Sequence, residues 1–412
     1  MKRILSSLCA YSFASSVFDS KKESCNDEKF KAALKKSSHL IKIFRETTGA
    51  PGISVHINLN GISSADFSYG YSDVENLTKC KINSLMRIAS ISKSFTSLIA
   101  AQLIDEGLLD LDKDINEYLP DFPKKTFKDK KVTITCRQLL SHRSGIRTYK
   151  SQGNLSEYNL DEFLNVKHCN DSLSTRKCFE NDDLVYAPGE KFFYSVYGYV
   201  LLGSVLEKVA ENSVFYGPYI KKVNKNTQAL EKMFEVLFDE IGLENTFCEY
   251  NNKILSHRTK QYSRNCNSHC SLEVAPFVDN SCKWAAGGII STCHDLNKMA
   301  QTLVEIWLGR KNGILSKSSL QILWKPIQEN NLNTKRKSNW KYGLGWCIEE
   351  RKDRILVGHL GGASGGTSAL IINLPKSEAR DDYVIVTILC NMQSLSEDIG
   401  DLAFKISNLF LN

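Results

Sequence analysis

The chain has 412 residues, of which 42% are hydrophobic and 24% charged, a composition typical of globular proteins and not of disordered ones. Its formal net charge of +7 comes from scattered lysines and arginines, without the clustered basic face that nucleic-acid binding requires. With 13 cysteines, complete internal pairing is impossible, and a chain of this length does not need a disulfide framework. We therefore expect a folded protein with no nucleic-acid partner.

The N-terminal segment is basic and serine-rich. Lys2 and Arg3 precede residues 4–18, which contain several serines and no acidic residue. This stretch is too short and too polar to span a bilayer. Residues 1–26 are interpreted as a targeting segment, either secretory or mitochondrial, or as a disordered tail. No later stretch is long and apolar enough for a transmembrane helix, so no transmembrane segment is expected.

The first half of the chain alternates between helical and strand patterns. Apolar residues at helical spacing run from Phe30 to Phe44, and two strands are predicted over 53–59 and 64–70. A helix rich in Leu, Ile and Ala follows over 92–106 and stops at Gly107. Residues from about 110 to 260 mix short helices with polar loops.

The C-terminal part is predicted to be mainly strands. These cover 342–348, 354–357, 367–374 and 383–390, and an amphipathic helix over 395–411 ends the chain. Strands near both termini predict an α+β fold whose antiparallel sheet is built from both termini and flanked by helices. Residues 27–412 would form one catalytic domain, in which the insertion at about 110–260 makes a mostly helical second lobe. A cleft between the lobes is the expected ligand site.

Ser90 and Lys93 carry the strongest chemical signal. They stand three residues apart at the start of the predicted helix, so their side chains share one face. A serine hydroxyl needs an adjacent base, and burial among Phe95 and Ile99 would lower the pKa of Lys93 enough for it to act as one. The Ser90 N–H at the helix N-terminus could also stabilise an oxyanion. Ser-x-x-Lys alone is weak, because a capping serine beside a solvated lysine gives the same pattern.

Two further elements follow in order. Tyr194 precedes an apolar helix and could relay a proton to a leaving group. An ordinary aromatic residue of the hydrophobic core would give the same sequence pattern. Residues 358–366, Gly-His-Leu-Gly-Gly-Ala-Ser-Gly-Gly, lie between two predicted strands. Such a glycine-rich edge would let substrate approach, with the Gly362 N–H as a second oxyanion donor, unless it is an ordinary hairpin turn.

Together these motifs resemble the serine β-lactamase and penicillin-binding family, which shares Ser-x-x-Lys and two later motifs in this order. The third motif, His359-Leu360-Gly361, is similar to the form found in the class C-like and esterase branches. Residues 139–146, Leu-Leu-Ser-His-Arg-Ser-Gly-Ile, and 286–292 also look like that branch. The phrases at 71–76, 119–123, 279–284 and 390–394 resemble its animal mitochondrial members.

The resemblance implies a role for each motif residue. Ser90 would be the nucleophile, Lys93 the base and Tyr194 a partner in proton transfer, whereas Val196, His359, Gly361 and Gly362 would border the substrate. It further implies a covalent acyl-enzyme formed on a peptide or ester without cofactor or metal. The mitochondrial branch adds expectations of an intermembrane-space location, with secretion as the alternative, of homo-oligomers or filaments, and of a link to lipid metabolism. A filament-forming scaffold with a vestigial site is the alternative function.

Three features bear on these expectations. Most of the family has Asn where this chain has Val196, and the segment between Ile146 and Pro188 is short. Both put the substrate in doubt, but not the nucleophile. Cys266, His269 and Cys270 have metal-like spacing without a second ligand pair nearby, which favours thiols or a local disulfide over a zinc site.

Overall fold

The fold is known from a computed structural model of the chain. It describes residues 23–149, 175–222, 229–265, 271–311, 313–327, 340–377, 380 and 382–411.

The helices, numbered here in chain order, are α1 Glu23–Thr48, α2 Ser92–Asp105, α3 Ile115–Tyr118, α4 Cys136–Leu140, α5 Val196–Ala210, α6 Gly217–Ile220, α7 Ala229–Ile241, α8 Cys293–Trp307, α9 Lys317–Leu323 and α10 Ile399–Asn408. The 3-10 helices are Ala89–Ile91 and Ser281–Lys283. The strands are β1 Gly52–Leu59, β2 Ser63–Asp73, β3 Thr78–Lys79, β4 Met86–Arg87, β5 Thr126–Phe127, β6 Lys130–Lys131, β7 Phe247–Cys248, β8 Tyr262–Asn265, β9 Ser271–Val274, β10 Ile289–Ser291, β11 Lys341–Tyr342, β12 Cys347–Glu350, β13 Arg354–Ala363, β14 Gly366–Pro375 and β15 Val384–Cys390.

The main sheet joins the two ends of the chain. Its eight strands have the order β11-β12-β13-β14-β15-β1-β2-β3, and the pairs along it are antiparallel. At its centre β1 pairs with β15, with Ile53 opposite Cys390 and Leu59 opposite Val384. The expected antiparallel sheet built from both termini is therefore confirmed.

Alternation along the strands separates two apolar layers. Ile53, Val55 and Ile57 of β1 face α1 and α10, where Phe44 and Ile406 are fully or almost fully buried. Leu370 and Ile372 of β14, with Leu389 of β15, face the other way and join the core that contains α2, α5, α7 and α8. Because side chains of a strand alternate between faces, each central strand serves both layers. The helices thus flank the sheet as predicted.

Three boundaries differ from the sequence-based prediction. The single strand expected over 342–348 is interrupted by a turn at 343–346, where Gly343 N–H donates to the Trp346 carbonyl at 2.8 Å and Gly345 has φ +86°. The C-terminal helix begins only at Ile399, because the Asp398 carboxylate caps it by accepting from the N–H of Gly400 at 2.8 Å.

The third difference concerns the glycine-rich motif. It was expected between two strands, but β13 continues through it to Ala363, and the turn comes only at Ser364 and Gly365. Glycine weakens a strand without forbidding it, and here the backbone remains paired with β14 from Arg354 to Ala363. On its other edge, β13 pairs with β12 only as far as Gly358. The last five residues of β13 therefore present one edge that β12 does not cover.

Among the residues that the structure describes, none of the helices has both the length and the apolar character that crossing a bilayer would require.

Candidate active site

Ser90 and Lys93 meet at the junction of a 3-10 helix and α2. Ser90 lies in the 3-10 turn Ala89–Ile91 and Lys93 in the first turn of α2. Their side chains point the same way, which places Lys93 Nζ 3.1 Å from Ser90 Oγ. Ser90 is partly exposed, whereas Lys93 is 0% exposed. The hydroxyl is thus open to a ligand, and the amine behind it is sealed from water.

The turn that carries Ser90 is held in an unusual backbone conformation. Ala89 has φ +48°, in the left-handed region that costs a non-glycine residue roughly 1–3 kcal/mol. Packing against β13 and β14 holds it there, since Ser368 Oγ donates to the Ile88 carbonyl at 2.7 Å. A Cβ on Gly361 would lie 2.3 Å from that carbonyl oxygen and 2.2 Å from Ser368 Oγ. Glycine at 361 is what allows the strand to approach the turn that carries Ser90.

The environment of Lys93 favours a neutral amine. Burial first, and the positive charge of Lys283 second, lower the pKa of Lys93 from 10.5 to about 7. Its Nζ also donates to the Ala286 carbonyl, which orients the amine toward Ser90. Phe95, the apolar neighbour expected from the sequence, packs its ring against Phe238, at 5.4 Å between centroids. The aromatic rings above Nζ belong to Tyr194, at 4.8 Å, and Tyr199, at 5.4 Å.

Tyr194 is positioned by the start of α5 and by His142. Ser195 caps α5, since its Oγ accepts from the Gly198 N–H at 2.9 Å, so Ser195 has a structural role there. The Ser195 N–H donates to His142 Nδ1 at 3.1 Å, and the His142 and Tyr194 rings lie 4.1 Å apart. Burial, and after it Lys93 and His359, hold the pKa of His142 well below its ordinary value. A neutral imidazole therefore supports the tyrosine ring.

Three residues of the glycine-rich motif have different surroundings. Gly362 borders the cavity at Ser90, and a Cβ added to it would meet nothing within 4 Å. Gly361 makes the close contact to the turn that carries Ser90. His359 is only 4% exposed and does not line the cavity. The structure therefore brings Gly362, but not His359, to the cavity wall.

His359 is held beneath the cavity by two hydrogen bonds. Its Nδ1 lies 2.7 Å from the Leu360 carbonyl, which can only accept, so Nδ1 carries the proton. Nε2 then accepts from the Tyr342 hydroxyl at 2.9 Å. Burial, followed by the charge of Lys93, lowers the pKa of His359 to about 3. His359 is thus a neutral side chain that two hydrogen bonds hold in place outside the cavity lining.

The cavity over Ser90 has a volume of about 350 Å³. Val196, the first residue of α5, borders it, as do Gly362 and Ala363 of β13. Several polar or aromatic residues that sequence reasoning did not assign also line it, among them Thr148, Tyr149, Asn280 and Lys283. Asn280 and Lys283 belong to the segment 279–284. The sequence of this segment resembled the mitochondrial branch, but no chemical role was assigned to it.

Lys283 places a second amine in the wall of this cavity. It is 7% exposed, and its Nζ lies 5.7 Å from the centre of the Tyr149 ring. Burial is the main reason that its pKa falls from 10.5 to about 8. Two lysines thus share one partly enclosed site, and each is easier to deprotonate than a surface lysine.

A network of buried charges supports the cavity floor. Glu249 is 1% exposed in its side chain and accepts from Arg87 Nε at 2.8 Å and from Arg258 Nη2 at 2.6 Å. Arg87 also donates to the Ser364 carbonyl at 2.7 Å, next to the glycine-rich motif. Burial alone would raise the pKa of Glu249, but Arg87, Asn280 and Arg258 outweigh it and hold that pKa below its ordinary value. The network joins the segment that precedes Ser90 to the end of β13.

Comparisons with known proteins agree with this architecture. A family model described as Beta-lactamase matches residues 38–406. The chain belongs to the Beta-lactamase family. It is 29% identical to the Homo sapiens serine beta-lactamase-like protein LACTB, mitochondrial, over 92% of this chain and 80% of the relative.

Solved structures share the family's fold. The octameric penicillin-binding protein homologue from Pyrococcus abyssi superposes with a TM-score of 0.70 at 23% identity, covering 92% of this chain and 77% of that one. A D-stereospecific amidohydrolase from Streptomyces sp. gives a TM-score of 0.67 at 20% identity, over 91% of this chain and 98% of that one. The β-lactamase and penicillin-binding type of fold expected from the motifs is confirmed.

Proposed function

We propose that the chain is a serine hydrolase that acts on a peptide or ester carbonyl through a covalent acyl-enzyme. The observation that carries the proposal is the pair Ser90 and Lys93, with 3.1 Å between hydroxyl and amine. A lysine whose pKa lies at about 7 is half neutral near physiological pH, so it can accept a proton from the serine. The cavity of about 350 Å³ over Ser90 offers room for the reacting group.

In the proposed first half-reaction, Ser90 Oγ attacks the carbonyl carbon while its proton passes to Lys93 Nζ. The carbonyl oxygen becomes an oxyanion, for which the N–H groups of Ser90 and Gly362 are the proposed donors. When the tetrahedral intermediate collapses, the bond to the leaving amine or alcohol breaks. The proton returns from Lys93 to that leaving group, and the Tyr194 hydroxyl is the proposed relay, since the centre of the Tyr194 ring lies 4.8 Å from Nζ.

The second half-reaction releases the acyl group. A water molecule attacks the acyl carbon, gives one proton to the Lys93–Tyr194 pair and becomes the hydroxyl of the released acid. The bond to Ser90 Oγ breaks, and Oγ recovers that proton. Because Val196 offers no amide to the substrate, binding contacts are proposed to come from Gly362, Thr148 and Lys283 on the cavity wall.

Active-site labelling tests this proposal. A fluorophosphonate probe applied to the full chain should attach to Ser90, as found by peptide mapping, and Ser90→Ala should abolish the label. Ser256→Ala removes an exposed serine elsewhere and should label like the parent. A label on Ser92, or one that persists in Ser90→Ala, would contradict the proposal. Turnover of a small ester by the parent, but not by Ser90→Ala, would separate an enzyme from a scaffold with a vestigial site.

We further propose that the protein works in mitochondria, within the intermembrane space, in a process linked to lipids. Support comes from the basic, acid-free stretch of residues 2–18 and from the word mitochondrial in the name of the human relative. Fusing residues 1–30 to a fluorescent reporter tests the location. Entry of the reporter into the secretory pathway would contradict it.

Self-association into oligomers or filaments is proposed as well. The Pyrococcus abyssi structure with the same fold is described as octameric, which supports assembly without fixing its form. Light scattering and electron microscopy of the parent and of Ser90→Ala should show the same assemblies, because the nucleophile lies in a cavity. A monomer at all concentrations would contradict this proposal.

A further inference from the structure

Two histidines and an aspartate meet at a surface that the proposed hydrolase chemistry does not use. His56 of β1 lies directly opposite Asp66 of β2 in the strand register, and its Nδ1 is 2.6 Å from Asp66 Oδ1. His294, in the first turn of α8, brings its Nε2 to 2.9 and 3.0 Å from the two oxygens of the same carboxylate. The three side chains come from three elements, and only the fold brings them together.

The donor atoms of this group suit a transition metal. One nitrogen from each imidazole and one carboxylate oxygen all lie within 4.8 Å of one another. Zinc bonds of about 2.0–2.2 Å place tetrahedral ligands roughly 3.3 Å apart, so shifts of about 1 Å or less would admit the ion. Imidazole nitrogens favour zinc, copper, nickel and iron over magnesium or calcium. From this geometry we infer that His56, Asp66 and His294 form a Zn²⁺ site, with water as the fourth ligand.

The surroundings of the group leave room for the ion and its water. A hollow of about 210 Å³ is lined by His56 and His294 together with polar side chains that include Asn58, Asn297 and Gln301. Asn58 Nδ2 donates to Asn297 Oδ1 and to Gln301 Oε1, each at 3.0 Å, which fixes the floor of the hollow. The ammonium of Lys298, the one cation among the lining residues, is tied to the Gly242 carbonyl at 2.6 Å.

Zinc at this position would join the β1–β2 hairpin to α8. His56 and Asp66 are already paired across two strands, whereas His294 adds the helix that packs on β1 and β15. None of the three residues borders the cavity over Ser90. The proposed metal therefore lies apart from the Ser90 cavity, and the proposal does not depend on the proposed hydrolase function.

Zinc titration of the purified full chain by calorimetry tests the site. The chain also has 13 cysteines that can bind zinc, so the informative quantity is the difference between variants. His294→Ala and Asp66→Asn should each remove one zinc equivalent or weaken it at least about 100-fold, since loss of an outer partner alone costs 10–100-fold. His39→Ala, which removes an exposed histidine of α1, should bind like the parent.

Thermal unfolding gives a second readout that does not depend on stoichiometry. Zn²⁺ should raise the unfolding midpoint of the parent and of His39→Ala, because a ligand of the folded state stabilises it. The rise should be smaller in His294→Ala, and Mg²⁺ at the same concentration should give none in either protein. Equal zinc binding and equal midpoint shifts in the parent and in His294→Ala would overturn the site and leave an ordinary pair of His–Asp hydrogen bonds.

Discussion

Arg87 and Lys93 are buried basic residues six positions apart, and their surroundings have opposite effects on their charge. Arg87 is 4% exposed and meets the carboxylate of Glu249 at 2.8 Å. Lys93 is 0% exposed, and its hydrogen-bond partners are the neutral Ser90 hydroxyl and Ala286 carbonyl. The same segment of chain therefore carries one basic group paired with a carboxylate and one whose hydrogen-bond partners are both neutral.

The difference distinguishes a residue with a structural role from one with a role in proton transfer. A buried charge beside an opposite charge remains ionised, whereas a desolvated amine without one loses its proton more easily. Glu249 accordingly keeps a lowered pKa and anchors β4 to the cavity floor, but Lys93 has its pKa lowered to about 7. We infer that Arg87 holds the site in place and that Lys93 performs its proton transfer.

The largest expected effect is on acylation when Lys93 is replaced. Lys93→Met keeps most of the side-chain volume but removes the base, so acylation of Ser90 should fall by at least about 100-fold. The thermal midpoint should not fall, because the buried amine has no carboxylate among its hydrogen-bond partners. Stopped-flow acylation by a chromogenic ester and a thermal melt measure the two quantities. A near-normal rate would mean that another group activates Ser90.

Replacing Glu249, the carboxylate that pairs with Arg87, should lower the stability of the fold and leave the base Lys93 in place. Glu249→Gln leaves Arg87 and Arg258 facing a neutral amide, and unpairing a buried charge costs about 3–5 kcal/mol of stability. Denaturant unfolding measures the loss. Glu350→Gln, at an exposed position of β12, should be close to neutral. Unchanged stability of Glu249→Gln, or acylation lost while stability stays intact, would contradict a purely supporting role for Glu249.

The pH dependence of acylation tests the electrostatics of Lys93 more finely. Only the neutral amine accepts a proton, so the acylation rate should rise with pH through an inflection near the Lys93 pKa of about 7. Lys283 lowers that pKa by its positive charge. Lys283→Met removes the charge and should move the inflection to higher pH, whereas Lys283→Arg should leave it nearly in place. An inflection that stays fixed or moves down in Lys283→Met would contradict this account.

The sequence was sufficient for the fold and for the location of its main elements. Mostly apolar runs of strand length predicted β1, β14 and β15 to within a few positions, since strands buried on both faces read as nearly continuous apolar segments. The turn at 343–346 was missed, because a single glycine at 345 does not by itself distinguish a turn from a continuous strand. Its positive φ is visible only in the structure. The extension of β13 through Gly361 and Gly362 was missed because glycines are normally depleted in strands.

For the site, local spacing was enough to pair Ser90 with Lys93 but not to arrange the more distant motifs. His359 was expected beside the substrate, yet a hydrogen bond from Tyr342, seventeen residues earlier, holds it below the cavity. Lys283 and Thr148 reach the cavity from segments far apart in the chain, which no spacing rule connects. The segment at 266–270, with the metal-like spacing of Cys266, His269 and Cys270, lies outside the described residues, so its assignment stays a prediction.

The smallest expected effect concerns Val196, which borders the cavity where most of the family has Asn. Asparagine offers a donor and an acceptor to a substrate amide, whereas valine offers neither. Val196→Asn should therefore favour amide over ester acylation by roughly two- to tenfold, the equivalent of about 0.5–1.5 kcal/mol for one neutral hydrogen bond. The measurement is the ratio of acylation rates for one β-lactam and one matched ester.

Val196→Thr is the matched control, because threonine keeps the branched shape and adds a hydroxyl without an amide. Val196 is half-buried at the first residue of α5, where its N–H lies 3.5 Å from Thr148 Oγ1, so either change leaves the helix start in place. The ratio should rise in Val196→Asn and stay closer to the parent value in Val196→Thr, since only the asparagine amide can both donate to and accept from the substrate. If the ratio in Val196→Asn is unchanged, or moves toward the ester, then residue 196 does not contact the substrate amide, and Thr148 becomes the stronger candidate for that contact.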